Sequence, residues 1–327
     1  MKTRITEMFG IEYPIICGAM YLVGEPKLTA AISNAGGMGN LTAGNYKSGD
    51  ELRAAIRETK KLTDKPFMVG ITILPSFHIT MDDHRRNLEI CAEEGVAGIE
   101  VSGTPIDKLG MQYIDMLKKA GVKMFHKVGA VKHAQHAEDV GYDGIYAAGI
   151  EEGGHPLKDD VTTMVLTPKI AEKVKIPVVT VGGIADGKSM AAALALGAEG
   201  VMMATRFMAT HECQIHDNIK QEIVKRQEYE TTLICKSINL QGRAIKNKIV
   251  EEILEAEKRG ASLTELAPLI TGERCKVAWT TGDVDVAPMM MGQSIGRVYD
   301  IKSCKEVIEG MAKEAEEQIK KISKYFQ

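Results

Sequence analysis

A histidine that follows two glycines stands out among the residues that could do chemistry. His155 lies in the run GIEEGGHP at residues 149–156, where glycines leave room for a ligand and a proline stiffens the loop. An imidazole has an unperturbed pKa of about 6.5, which suits proton transfer near neutral pH. We therefore predict that His155 is catalytic. The alternative is a loop histidine whose ring only bonds to the main chain.

Two further runs have the small residues expected of an anion site. The sequence VGGIADG occupies residues 181–187, and MATRF occupies residues 203–207. Small side chains let a ligand approach the main chain, whose free N–H groups bind anions. The two runs lie at the ends of two successive strand-like segments, so they predict a phosphate site between those strand ends. The alternative is that Gly182 and Gly183 only make a tight turn.

The other histidines and the cysteines give weaker patterns. His133 and His136 are three residues apart on a predicted helix, where we expect a solvated surface rather than metal ligands. His211 and His216 lack the neighbouring ligands of a metal site, and no metal is predicted. The six cysteines are far apart, without a CxxC pair, which indicates reduced thiols. We expect Cys17, which lies within a predicted strand, to be a core thiol.

Eight short apolar runs, separated by helical segments, must position these residues. Most of them lack apolar/polar alternation, as strands buried on both faces do. They span residues 14–20, 37–43, 66–74, 98–103, 123–128, 144–150, 177–183 and 200–208. Gly95, Gly121, Gly141 and Gly197 fall where helices should end. The pattern predicts an α/β fold, a (β/α)₈ TIM barrel. A doubly wound open sheet is the rival, but no early GxGxxG motif follows a strand.

The pattern changes after residue 208. Residues from about 211 to 270 are charged and helical, without a strand-like run, and Ile245, Ile249, Ile253 and Ala256 form one stripe. We predict that residues 1–208 and 285–327 form the barrel. Residues 209–284 would be a helical insertion after strand 8, packed on the barrel as an outer layer or as a lid.

The C-terminal residues from about 303 to 325 predict an amphipathic helix that closes the ring of helices. Its apolar stripe, expected to face inward, consists of Val307, Met311, Ile319 and Ile322.

Composition narrows the function. The chain has 327 residues, with 41 basic against 44 acidic side chains and a formal net charge of −3. Nucleic-acid and polybasic membrane surfaces need a basic excess, so neither partner is expected. No apolar run approaches the ~20 residues that span a bilayer, and residues 1–10 lack the apolar segment of a secretory signal. We predict a cytoplasmic protein with a small-molecule substrate.

The motifs resemble, in their order, the nitronate monooxygenase (2-nitropropane dioxygenase) family of FMN-dependent barrels. The shared runs are PII at residues 14–16, GAM at 18–20, AGGMG at 35–39, HKV at 126–128, the three runs described above, and Gly292–Gly296. The superfamily includes NAD(P)H:quinone reductases and FMN-dependent enoyl-acyl-carrier-protein reductases. The resemblance implies an FMN-dependent oxidoreductase that oxidises alkyl nitronates. NAD(P)H:quinone reduction, with NAD(P)H as the electron donor, and enoyl-thioester reduction are the alternatives.

The resemblance also implies which residues meet the flavin. Residues beside the ring and the ribityl chain would be Ala19, Met20, Thr72, Lys127 and Gly153. The phosphate would be held by Gly182, Gly183, Ala204 and Thr205, and the pocket would be closed by Gly292 and Gln293. His155 matches the family's active-site histidine.

Three positions depart from the family pattern. Ala19 and Ala204 stand where glycine is usual, and Leu157 stands where close relatives have glycine and could narrow the entrance. Alanine fits a main-chain contact there only if its φ is negative. A second class of function stays open, a barrel without flavin that binds a phosphorylated metabolite. A homodimer is expected by analogy only.

Overall fold

Eight parallel strands form a nearly closed barrel in the computed structural model, which describes residues 1–74 and 79–327. The strands are β1 (Ile15–Cys17), β2 (Gly39–Thr42), β3 (Phe67–Ile73), β4 (Gly98–Gly103), β5 (Lys123–Val128), β6 (Gly144–Ala148), β7 (Val178–Val181) and β8 (Gly200–Met203). Each strand from β2 to β8 pairs with its neighbour in sequence, and β1 pairs with β8. A parallel bridge between Ile16 and Met38 joins β1 to the residue before β2. The predicted (β/α)₈ barrel is confirmed, and the open sheet is excluded.

Strand eight is shorter than the apolar run that predicted it. After Met203 the main chain leaves the extended conformation at Ala204, with φ −125° and ψ −63°, and Thr205–Met208 form a helical turn. Phe207 and Met208 are buried like the strand residues before them. An apolar run alone cannot separate a buried strand from a buried helical turn.

Helices surround the barrel and follow most of its strands. They are α1 (Arg4–Phe9), α2 (Pro26–Asn34), α3 (Gly49–Leu62), α4 (Met81–Glu93), α5 (Met111–Lys119), α6 (Val131–Val140), α7 (Thr163–Ala171), α8 (Gly187–Ala195), α9 (Thr205–Met208), α10 (Asp217–Lys225), α11 (Lys248–Lys258), α12 (Leu263–Leu266), α13 (Gly272–Thr281) and α14 (Cys304–Ser323). Gly95, Gly121, Gly141 and Gly197 have positive φ just after helices, as predicted.

The barrel interior is apolar and its lower end is covered. Met68, Phe125 and Tyr146 are fully buried inside it. Phe9 of α1 packs against Phe125, with ring centroids 5.7 Å apart. A Cβ atom added to Gly98, the first residue of β4, would lie 3.2 Å from Phe9, so α1 covers the N-terminal ends of the strands. Functional residues of this fold belong at the opposite, C-terminal ends.

The insertion is not purely helical, which corrects one expectation. Two antiparallel strands, β9 (Thr231–Ile234) and β10 (Gly242–Ile245), lie between α10 and α11. Ile245 therefore belongs to a strand, and only Ile249, Ile253 and Ala256 share the buried face of α11. Strands of four residues among charged neighbours are too short to give a clear period-two pattern. We propose, as before, that residues 209–284 form an insertion on a barrel built from 1–208 and 285–327.

The C-terminal helix packs on α8 and α2 and so completes the ring of helices. Val307 and Met311 are buried, but Ile319 and Ile322 are 45% and 39% exposed. The expectation that all four face inward is wrong for the last two, because the end of α14 extends beyond the surface that it covers. In the described part of the chain, no helix has the length and apolar character to cross a membrane.

Candidate active site

A cleft opens at the C-terminal ends of the barrel strands. It is lined by Gly18, Ala19, Glu100, Lys127, Glu152, Gly153, Val181, Gly182, Ile184, Met202, Met203, Ala204, Thr205, Gly292 and Ser294. A wider hollow, lined mainly by residues of α2 and α3 and by Glu25 and Tyr46 before them, shares no lining residue with this cleft. The cleft therefore joins the ends of β1, β5, β6, β7 and β8, where the sequence motifs lie.

The residues predicted to meet a cofactor converge on this cleft. Its wall contains Ala19, Lys127, Gly153, Gly182, Ala204, Thr205 and Gly292. Met20, Gly183 and Gln293 are the chain neighbours of wall residues. Thr72 is exposed near the end of β3, two residues beyond Gly70, which lies against Ala19. The structure thus brings together residues from six separate parts of the sequence, but Thr72 is not part of the wall.

Residues at the ends of β7 and β8 form one side of the cleft. Gly182 and Gly183 have φ values of +97° and +74°, which other residues rarely adopt. Among the described residues, neither N–H group takes part in a hydrogen bond. In α9 the N–H groups of Phe207 and Met208 donate to Ala204 O, whereas those of Thr205 and Arg206, at the start of the turn, have no partner among the described residues. Free N–H groups on two adjacent loops are the arrangement that binds phosphate.

The C-terminal segment closes this part of the cleft. The main-chain N–H of Gly292 donates to Thr205 Oγ1 at 3.1 Å, and that of Gln293 donates to Glu151 O at 2.9 Å. A Cβ atom on Gly153 would lie 2.6 Å from Gly292 N, so only glycine permits this approach. The φ of Ala204 is negative and that of Ala19 is not positive, so alanine is compatible with both loops.

A buried charged cluster, which the sequence motifs did not reveal, lies in the cleft wall. Lys127 Nζ is 3.5 Å from Glu152 Oε2 and 4.0 Å from Glu100 Oε1. Burial works against the charge of Lys127, but Glu152 and Glu100 outweigh it and raise the pKa of the ammonium group. Burial also raises the pKa of Glu152 to about 7, although Lys127 lowers it. A single acid inside the apolar strand β4 was the available signal for Glu100.

Glu100 fixes the loop after β1. Its Oε2 accepts hydrogen bonds from the Ala19 main chain at 2.9 Å and from the Asn40 side chain. Asn40 also donates to Cys17 O at 3.1 Å. Cys17 is 1% exposed, and burial raises the pKa of its thiol well above the ordinary value. The prediction of a core thiol is therefore confirmed.

His155 lies on the loop between β6 and α7, two residues after Gly153 of the cleft wall, and is not itself part of that wall. Its Nδ1 is 3.0 Å from Gln241 O. A carbonyl oxygen can only accept, so we assign the hydrogen to Nδ1, which leaves Nε2 with a lone pair in the neutral ring. The side chain is exposed to solvent, but many protein atoms surround it. This partial desolvation lowers its pKa below 6.5, and the charge of Lys127 lowers it further.

Strand β10 of the insertion, together with Gln241 just before it, forms several hydrogen bonds with the His155 loop. Gly154 and Arg243 form an antiparallel bridge, with Arg243 N donating to Gly154 O at 2.7 Å. Arg243 Nε donates to Ile150 O at 2.9 Å. Gln241 Nε2 donates to the carbonyl oxygens of Pro156 and Leu157, at 3.0 and 2.6 Å. The insertion is thus part of the site, which sequence reasoning did not predict at the level of residues.

Leu157 packs over the end of β5. A Cβ atom on Gly129 would lie 2.5 Å from Leu157 Cδ1, and Leu157 itself is 39% exposed. Whether this side chain narrows a substrate entrance stays a prediction.

The glycine-rich loops and small residues of the cleft fit a flavin that carries a phosphate group. No group of three or more His, Cys, Asp or Glu side chains in residues 1–74 and 79–327 could hold a metal. The glycine-rich loops after β7 and β8 offer free N–H groups for a phosphate. Small residues after β1 and β6 line the cleft together with Lys127, whose ammonium group is paired with Glu152 and Glu100.

The chain is similar to several known proteins along nearly its whole length. A family model described as nitronate monooxygenase matches residues 2–314. The solved structure of FabK from Thermotoga maritima is 35% identical, with a TM-score of 0.91 and 99% of each chain covered. A (3aS,4S,5R,7aS)-5-hydroxy-7a-methyl-1-oxo-octahydro-1H-indene-4-carboxyl-CoA dehydrogenase of Rhodococcus jostii (strain RHA1) is 31% identical over 96% of each chain. A probable nitronate monooxygenase of Staphylococcus aureus (strain Newman) is 32% identical, covering 90% of this chain and 92% of that protein.

Proposed function

The chain belongs to the nitronate monooxygenase family, and we propose that it is an FMN-dependent oxidoreductase in which His155 exchanges a proton with the substrate. The observation that carries this proposal is the position of His155. Its Nδ1–H is engaged by Gln241 O, while Nε2 has no partner among the described residues. The residue follows Gly153 of the cleft wall by two positions, and its ring is close enough to Lys127 for that charge to act on it.

The chain's own residues would hold the cofactor. Main-chain groups of Gly182, Gly183 and Thr205 would bind the phosphate, and Ala19 and Lys127 would line the ring. Bound FMN would supply two-electron chemistry, which amino-acid side chains alone do not provide. The protein's contribution is to bind, orient and exclude water, and to move the proton that accompanies the electrons.

His155 is suited to that proton transfer. A ring with Nδ1–H held by a carbonyl has a basic Nε2, which can take up a proton and return it from the same atom. The lowered pKa keeps the imidazole neutral at pH 7. Lys127 contributes a positive charge where negative charge would develop on a substrate or cofactor oxygen.

We infer that the substrate class is an acyl thioester, oxidised or reduced at the carbon–carbon bond next to the thioester carbonyl. The support is the similarity to a carboxyl-CoA dehydrogenase over 96% of the chain, together with the 35% identity to FabK, which belongs to the enoyl-acyl-carrier-protein reductase branch of the superfamily. Nε2 of His155 would take the proton from the α-carbon in the oxidation and return it there in the reduction.

Oxidation of alkyl nitronates is the second candidate. It is favoured by the family model and by the 32% identical probable nitronate monooxygenase. The same histidine would then act on the nitronate group. Reduction of a quinone by NAD(P)H needs the same cleft, and no observation favours it over these two.

Anaerobic flavin reduction tests the proposal. The purified protein, reconstituted with FMN, is mixed separately with a saturated acyl-CoA, a nitronate, NADH and NADPH, and the visible flavin absorption is followed. Bleaching by acyl-CoA, or turnover of an enoyl-CoA with NAD(P)H, supports the thioester function. Bleaching by the nitronate alone supports the second candidate. Failure to bind FMN overturns both and favours a barrel that binds a phosphorylated metabolite.

A further inference from the structure

A carboxyl group that the proposed reaction does not use stands on the cleft wall. Glu152 is 5% exposed, and its Oε2 lies 3.5 Å from Lys127 Nζ. Its Oε1 has no hydrogen-bond partner within residues 1–74 and 79–327. Buried carboxylate oxygens are normally paired, because an unpaired buried charge is strongly disfavoured. The lack of a partner for Oε1 therefore indicates that this oxygen either binds a proton or accepts a hydrogen bond from a molecule bound in the cleft.

The charges that face Glu152 come from three elements. Lys127 on β5 supplies one positive charge, and Glu100 on β4 stands on the other side of the same ammonium group, 4.0 Å from it. On the loop itself, Glu151 bonds to Thr163 at the start of α7, and His155 is neutral near pH 7. One cation thus faces two buried carboxyl groups and cannot fully stabilise both as anions. Glu152 is the member of the pair that lies on the same loop as His155.

We infer that Glu152 is a proton-exchanging residue of the cofactor site, which binds a proton when flavin in the cleft is reduced and releases it on reoxidation. The inference rests on the proposed function, because it requires flavin in the cleft. The two electrons come from the substrate or another reductant. The proton comes from water, binds the carboxylate, and is additional to any that the flavin itself binds. On reoxidation, the electrons leave to the acceptor and the proton returns to water.

The physical cause is repulsion between like charges. Electrons added to a group in the cleft bring negative charge next to the Glu152 carboxylate, which disfavours its ionised form. Its pKa, about 7 without that charge, must then rise. Between the lower and the higher value, reduction is coupled to the binding of one additional proton. His155 titrates below this range, since its pKa is lowered below 6.5.

The pH dependence of the flavin midpoint potential measures how many protons are bound for every two electrons taken up. We compare the reconstituted protein with Glu152→Gln and with Asp159→Asn, which removes an exposed carboxyl from the same loop. From about pH 7 upward, Glu152→Gln should bind one proton fewer per two electrons than the unchanged protein. Its potential should also be higher, because a neutral amide replaces an anion. Asp159→Asn should behave as the unchanged protein does. Equal proton numbers in all three proteins overturn the inference.

A second measurement keeps the test decisive if Glu152→Gln does not retain FMN. The infrared difference between reduced and oxidised protein, with glutamate isotopically labelled, should show a protonated carboxyl band appearing on reduction. Its absence overturns the inference. If the unchanged protein fails to bind FMN, the proposed function falls and the inference falls with it. If it binds FMN and neither signal appears, the inference alone is wrong.

Discussion

The imidazole of His155 and the main-chain carbonyl of Gln241 are joined by a 3.0 Å hydrogen bond, although the two residues are 86 positions apart. The first lies on the loop after β6, and the second lies at the edge of the β-hairpin in the insertion. Because the carbonyl can only accept, this bond sets which ring nitrogen carries the hydrogen. The insertion therefore contributes directly to the chemistry expected of the barrel.

Replacing His155 by alanine should abolish most turnover and leave FMN bound. A general acid or base contributes about 10²–10⁴-fold to the rate, and no cleft-wall residue is altered. Steady-state kinetics and the flavin spectrum measure the two effects. His133→Ala, on the exposed face of α6, is the control and should keep full activity. Unchanged turnover in His155→Ala would remove this residue from the mechanism.

The titration of His155 should be displaced toward acid. Its pKa is lowered by desolvation and by Lys127, so the neutral ring predominates at pH 6.5 and is lost only as the pH falls further. NMR of labelled histidine, with His155→Ala used to identify the signal, measures this directly. The ¹⁵N shifts should also show the hydrogen on Nδ1. A midpoint above 6.5, or a hydrogen on Nε2, contradicts the arrangement.

A bulky residue at Gly183 should expel FMN and leave the fold intact. Gly183→Val places a branched side chain where φ is +74°, beside the N–H groups that would bind the phosphate. Gly260 has a similar φ of +77° with open space around it, so Gly260→Val shares the backbone strain of about 1–3 kcal/mol. Both variants should lose similar thermal stability, but only Gly183→Val should lose the flavin absorption. Retention of FMN by Gly183→Val would disprove the phosphate assignment.

Loss of the Gln241 side chain should loosen the His155 loop. Gln241→Leu removes the donors to Pro156 O and Leu157 O, each bond having a net value of about 1 kcal/mol. We expect kcat/KM to fall by roughly tenfold or more and hydrogen exchange of residues 150–157 to increase, with FMN still bound. Lys158→Ala, which removes an exposed contact to Asn239 from the same loop, should change neither. Unaltered exchange in Gln241→Leu would show that the loop is rigid without this side chain.

The barrel could be predicted because its strands are buried on both faces and its helices end at glycines. Those signals are local, so one sequence suffices to read them. The hairpin of the insertion could not be predicted, since its strands of four residues are held by contacts with Gly154 and the loop after β6. The outward position of Ile319 and Ile322 was missed because a helical stripe does not indicate where its partner surface ends.

The candidate site also contains some residues that the sequence could predict and others that it could not. His155, Gly182 and Gly183 lie in glycine-rich runs that are visible in the sequence. Glu100 and Glu152 are single acids, and their importance depends on their distances to Lys127, which no spacing along the chain encodes. The tautomer of His155 depends on a main-chain carbonyl, which every residue type has. The sequence therefore cannot indicate which ring nitrogen carries the hydrogen.

A crystal structure of the protein grown with FMN tests the central claim most directly. The account predicts the phosphate within hydrogen-bond distance of the main-chain nitrogens of Gly183 and Thr205, with the ring in the cleft beside Lys127 and within reach of His155. Density for FMN at another place, or a ring bound on the side away from His155, would contradict it.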